Sequence, residues 1–296
     1  MKHSVINFVK PAFPFRGICM LSILFCCVFA SSQQKEEEGW TSMLNGSDLE
    51  GWTAKIQHYD VFDNHGDTFR VEDGILKVRY DQYEGLFNDR FGHLYYDQPY
   101  SHFHLSMEYR FVGELFPGSP DYTILNSGLM YHSQDPRTLL KDQDWPISVE
   151  MQFLAGLEPG KNRPTGNMCS PGTNVVYKGK LDATHCINSA SDTYFGDQWV
   201  KAELIVYGDS LVRHIINGKT VLEYAKPQMG GENVKRYDTN IFKPGTPLKE
   251  GYIALQSEGQ PIDFRNIKIR NLKGCMDPKA TNYGAHFIQP GKCSYD

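Results

Sequence analysis

No part of the sequence repeats apolar residues at the three-to-four-residue spacing of an amphipathic helix, which sets helical architectures aside. Basic runs are also missing. Lys and Arg number 30 against 35 Asp and Glu, for a net charge of -5. A chain without a basic stripe lacks the electrostatic footprint of a nucleic-acid or anionic-membrane partner. No apolar run is long enough to span a bilayer, since the longest, Gly17 to Ala30, falls short of the ~20 residues a spanning helix needs. There is no C-x-x-C pair, so the common zinc-site spacing is lacking too.

The short apolar run has a role of its own. Lys2, Lys10 and Arg16 precede it and small residues close it, the layout of a signal peptide cut after Ala30. Residues 1–30 are therefore expected to leave and 31–39 (SSQQKEEEG) to form a polar tether. The mature chain then has no transmembrane segment and is exported to the periplasm, cell surface or medium. Lipid attachment at Cys26 or Cys27 ranks second, because Phe25 and Cys26 fit poorly before a lipidated cysteine. Cleavage removes Cys19, Cys26 and Cys27 and leaves Cys169, Cys186, Cys275 and Cys293. An even count in an exported chain predicts two disulfides, Cys169–Cys186 and Cys275–Cys293 by proximity. The rival is a zinc site, with His185 its lone neighbour.

What the chain does have is alternation. Ile147 to Leu154 (ISVEMQFL) sends Ile147, Val149, Met151 and Phe153 one way and Glu150 and Gln152 the other. That is a strand with one face in a core. Strand patterns recur at Thr68–Arg79, Ser101–Val112, Ser127–His132, Trp199–Tyr207, Ser210–Ala225, Gly251–Glu258 and Gln260–Leu272. Asn217-Gly218 is a type I′ hairpin turn, and the apolar phase slips near Arg265–Asn266, which predicts a bulge. His102 and His104 fall on the outer face of their strand. Two Gly-rich loops, 158–173 and 228–247, are long enough to be functional. The fold class is all-β, a sandwich spanning 40–272, and 273–296 reads as a separate Cys-paired appendage.

In order, MLNGSDLEGW, TFRVEDGILKV, FGHLYY, NSGLMYH, SVEMQ, GDQWVKAELIVYG, INGKTVLEY and GYIALQSEGQPIDFRNIKI resemble the 3-keto-disaccharide hydrolase domain family. The resemblance runs from about Trp40 to Leu272. It implies a concanavalin-like jelly roll whose concave sheet binds sugar. It also implies an exported hydrolase of glycosidic bonds in 3-keto-glycosides. The tail resembles short Cys-paired modules of secreted bacterial proteins.

A ketone at C3 acidifies the C2 proton. A base removes that proton, the C1 substituent leaves, and water adds back. Glu150, His132 and Glu258 are the catalytic candidates, with Glu150 as base. Gln152, Asn126, Gln256 and Tyr131 are candidates for holding the sugar, and Trp145 is a second aromatic platform. A divalent metal on Glu150 and His132 is the one cofactor considered. Two rival readings stay open: a non-catalytic, lectin-like sugar binder, and a conventional two-carboxylate glycoside hydrolase.

Overall fold

A computed structural model describes residues 38–295 and Met1. The expected signal segment and most of the tether lie outside the described residues. Residues 37–296 cluster as one compact unit.

Two antiparallel sheets face each other in a jelly-roll sandwich. One has seven strands, ordered Cys186–Ile187, Asn167–Cys169, Val149–Leu154, Asn126–Ser133, Gly251–Ser257, Gly92–Tyr100 and Trp52–Ile56. The other has ten, centred on Val200–Tyr207, His102–Phe111 and Ile262–Asn271. Alternation decides which side chains enter the core. Val149, Met151 and Phe153 do so from one sheet, and Leu105, Met107 and Tyr109 from the other. Phe153 stacks on Tyr109 across the gap, ring centroids 4.3 Å apart. Each such fully buried large side chain contributes about 1.5–3 kcal/mol.

The turn at Asn217-Gly218 has positive φ at both residues, as a type I′ hairpin requires. The register slips between Arg265 and Lys268, with Asn266 at φ 53°, so the bulge lies where the apolar phase broke. His104 lies on the outer face of the ten-stranded sheet, its Nε2 3.0 Å from Glu203 Oε2. Both disulfides are present, Cys169–Cys186 and Cys275–Cys293. The second closes the tail, where Lys273–Gly274 and Gln289–Pro290 pair as two short parallel strands.

The outer face of the seven-stranded sheet is not bare. The segment 134–147 crosses it. Leu139 and Trp145 pack on Tyr95, Met130 and Ala254, which lie on three neighbouring strands. Lys55 pins this strap, its Nζ donating to the carbonyls of Ile56 at 3.1 Å and Lys141 at 3.0 Å. Gln57 Nε2 donates to the Asp142 carbonyl. The strap leaves one end of the face open as a cavity.

Candidate active site

That cavity has a volume of about 460 Å³ and opens beside the strand that carries Glu150 and Gln152. Five of the sequence candidates line it: Asn126, Trp145, Glu150, Gln152 and Glu258. Glu150 and Gln152 come from the outward face of Val149–Leu154, as period two requires. Asn126 opens the neighbouring strand. Glu258 follows the end of Gly251–Ser257. Gln256 projects from that same strand two residues earlier and is buried.

Gly128 makes room for Glu150. It lies opposite Gln152 on the adjacent strand. A Cβ added there would fall 2.8 Å from Glu150 Cγ and 2.9 Å from Cδ, and closer still to Oε1. The glycine is thus a matter of space for a carboxyl group laid across the sheet.

Both acids are buried, Glu150 to 5% and Glu258 to 4% exposure. Burial disfavours their charged forms and pushes both well above the ordinary carboxylate value of 4.5. Glu258's charge pushes Glu150 further up. Trp145 and Gln256 lie near the Glu258 carboxyl and pull the other way without cancelling burial. Two buried acids whose charges act on each other lose their protons as a pair.

Several polar atoms here have no protein partner among the described residues: Glu258 Oε2, Asn126 Oδ1, and both amide atoms of Gln256. A buried polar atom without a partner costs about 1–3 kcal/mol. Such a group of them suits a hydroxyl-rich ligand. Gln152 already accepts from Asn167 Nδ2 at 3.1 Å, which holds its amide in place.

The loops supply the walls. From 158–173 come Arg163, Cys169 and Pro171; from 228–247 come Asn233 and Lys235; from the strap come Asp144 and Trp145. Tyr122, Leu154, His185 and Cys186 complete the lining. Arg163 is a strut. Its guanidinium donates to the carbonyls of Ile124, Leu125 and Ala155. Asp144 Oδ1 accepts from the Lys235 backbone N–H at 2.8 Å and ties strap to loop. Alternation places Leu154 on the outward face with Glu150 and Gln152, and Trp145 and the two cysteines stood out by residue type. For the remaining wall residues in 158–173 and 228–247 the sequence signal was the length and glycine content of the two loops.

Two candidates are placed elsewhere. His132 does not converge with Glu150. It adopts φ 47°, and the register of its strand with Gly251–Ser257 slips there. The slip breaks period two and turns the ring away, so that Nε2 meets the Gly208 carbonyl of the opposite sheet at 2.9 Å. Burial lowers His132 to about 4, so it stays neutral. The expected metal pair of Glu150 and His132 is therefore not assembled. No cluster of three or more His, Cys, Asp or Glu suited to a metal ion occurs among the described residues. Tyr131 is wholly buried in the core, not the cavity. Its hydroxyl meets that of Tyr224, which in turn lies 2.8 Å from His214 Nε2. Trp145, by contrast, does face the cavity.

Known proteins were compared with the chain. Among solved structures it is similar to a candidate glycosyl hydrolase from Parabacteroides distasonis ATCC 8503, with 19% identity over 79% of this chain and 99% of that one, TM-score 0.47. A second such protein from the same organism gives 19% identity, 79% and 94% coverage, and TM-score 0.45. The carbohydrate-binding module CBM66 from Bacillus subtilis gives 12% identity, 79% and 96% coverage, and TM-score 0.38. No curated protein matches significantly. Residues 39–270 match the family described as the 3-keto-alpha-glucoside-1,2-lyase-like domain. The chain belongs to this family, and with it to the carbohydrate-active proteins.

Proposed function

We propose that the chain cleaves glycosidic bonds of 3-keto-glycosides by elimination and hydration, with Glu150 and Glu258 sharing the proton work. The observation that carries this reading is the pair of buried carboxyl groups lining one cavity. Binding a sugar does not require two acids in a site that penalises their charge. Carboxyl groups raised toward neutral pH by burial are suited to proton transfer there.

One of the two acids, once ionised, is the base, the role the sequence suggested for Glu150. Its carboxylate takes the proton at C2, α to the ketone. The electron pair moves into the enolate and then expels the C1 oxygen. The other acid, still protonated, gives its proton to the leaving oxygen. Water then adds across C1–C2, and the two steps together amount to hydrolysis. Asn126, Gln152 and Gln256 hold hydroxyls, and Trp145 offers its ring to the sugar.

Export belongs to the same reading. Two disulfides form and persist in oxidising compartments.

The test is to incubate purified protein with a 3-keto-disaccharide, its unoxidised parent, and each again with Glu150→Gln and Glu258→Gln. Turnover of the keto-sugar alone, lost in both variants, is expected. Cleavage of the parent at a similar rate would support a conventional two-carboxylate hydrolase. Binding of the keto-sugar without turnover would support a lectin-like role.

A further inference from the structure

A second polar hollow lies on the same face of the seven-stranded sheet, at the other end of the strap. Its volume is about 250 Å³, and it is lined by Thr53, Phe62, Asp97, Pro136, Arg137 and Tyr252. Tyr252 and Glu258 sit at opposite ends of one strand and its extension. At ~3.3 Å per residue the hollow is about 20 Å from the acid pair.

Phe62 is the unusual element. Its side chain is 67% exposed. Its backbone has φ 75°, a left-handed conformation that is a rare outlier for a bulky residue. A bare aromatic ring in a strained backbone raises the free energy of the fold twice and packs against no core. The backbone N–H of Phe62 donates to the Ala54 carbonyl at 2.9 Å, which fixes the residue in that pose.

The groups around it offer complementary bonds. Thr53 Oγ1 donates to Asp97 Oδ1 at 2.6 Å, leaving Oδ2 free to accept among the described residues. Arg137 is held by Asp135 through Nε and Nη2 and by the Tyr252 hydroxyl, leaving Nη1 free to donate among the described residues. A braced donor and a braced acceptor beside an aromatic face suit a pyranose. Vicinal hydroxyls take the polar pair, and the ring's C–H face lies on the π face of Phe62.

We infer that this hollow is an auxiliary saccharide-binding site for a glucopyranose unit, separate from the cavity of Glu150. Equatorial hydroxyls leave both faces of glucopyranose apolar, which stacking requires. Such a site anchors the protein on a glucan while the cavity works on a small glycoside. It stands whether or not the chain turns over 3-keto-sugars, because its probe carries no ketone.

The experiment titrates the full mature chain with cellohexaose and with maltohexaose, followed by calorimetry and by amide shifts in NMR. At least one should bind, with shifts at Phe62, Asp97 and Tyr252. Phe62→Ala and Asp97→Asn should each weaken that binding at least tenfold and leave turnover of a 3-keto-disaccharide unchanged. Phe62→Gly relieves the backbone strain, so it should raise the melting temperature while losing the sugar. The inference is overturned if neither oligosaccharide binds, if Phe62→Ala and Phe62→Gly bind like the wild type, or if the shifts map to the Glu150 cavity instead.

Discussion

Gly128→Ala tests how the site is built. Its methyl carbon would fall 2.8 Å from Glu150 Cγ, whereas ordinary carbon contacts lie at ~3.5–4.0 Å. Something must move by roughly 1 Å, and the least anchored partner is the Glu150 carboxyl, for which no hydrogen bond to another side chain is found among the described residues. Overpacking of this size costs about 1–3 kcal/mol. Displacing a reacting group by ~1 Å costs about 10²-fold in rate. Gly128→Ala should therefore lower kcat on a 3-keto-glycoside by about two orders of magnitude and lower stability in urea by about 1–3 kcal/mol. Glu150→Ala removes the colliding group, so the alanine at 128 should cost almost nothing in that background. The double-mutant cycle reads this directly as a coupling energy. If Gly128→Ala is equally destabilising with and without Glu150, the collision is not with the carboxyl and the reasoning fails. Wild-type turnover in Gly128→Ala would refute the placement of Glu150 at the reaction.

Other expectations follow from the same geometry. Glu150→Gln should cut turnover by at least ~10²-fold. It should also raise the melting temperature at pH 8 but not at pH 4: burial holds the native carboxyl above 4.5, so the wild type loses stability as pH rises through the native value. The buried histidines work in the opposite sense. His132 and His214 are lowered to about 4 and His93 to about 3, so the stability they confer is full above 6.5 and is lost as pH falls toward those values. Urea midpoints between pH 7 and 4 should show that loss, and His132→Gln should reduce it. Replacing Cys169 and Cys186 by alanine opens a loop with a sequence separation of 17. The change should cost about 3 kcal/mol and raise KM, because Cys169 pairs with Glu150 across the sheet.

What the sequence made legible depended on one-sided burial. Val149–Leu154 alternates because only one of its faces enters the main core, so Glu150 and Gln152 could be assigned to the other. Gly92–Tyr100 gives no such signal. His93 and Tyr95 point outward yet are covered by the strap, so both faces of the first half of that strand are buried and polarity stops tracking direction there. His132 was misplaced for a related reason. Counting by two from Gly128 puts it beside Glu150, but one residue at φ 47° reverses the count. Arg163, Asn233 and Lys235 sit in loops, where no period exists to count.

The strap has a consequence for the shape of anything that reacts. A trench open at both ends lets a long polymer lie along it and be cut in the middle. Here Trp145 and Leu139 cover the sheet over Tyr95, Met130 and Ala254, so the strap bounds the acid cavity on one side. A sugar chain lying along the sheet meets the strap at that side. Under the proposed chemistry, a site walled on one side favours reaction near a chain end, so a digest of a 3-keto-oligosaccharide is expected to release short products first, which chromatography of the early time points checks.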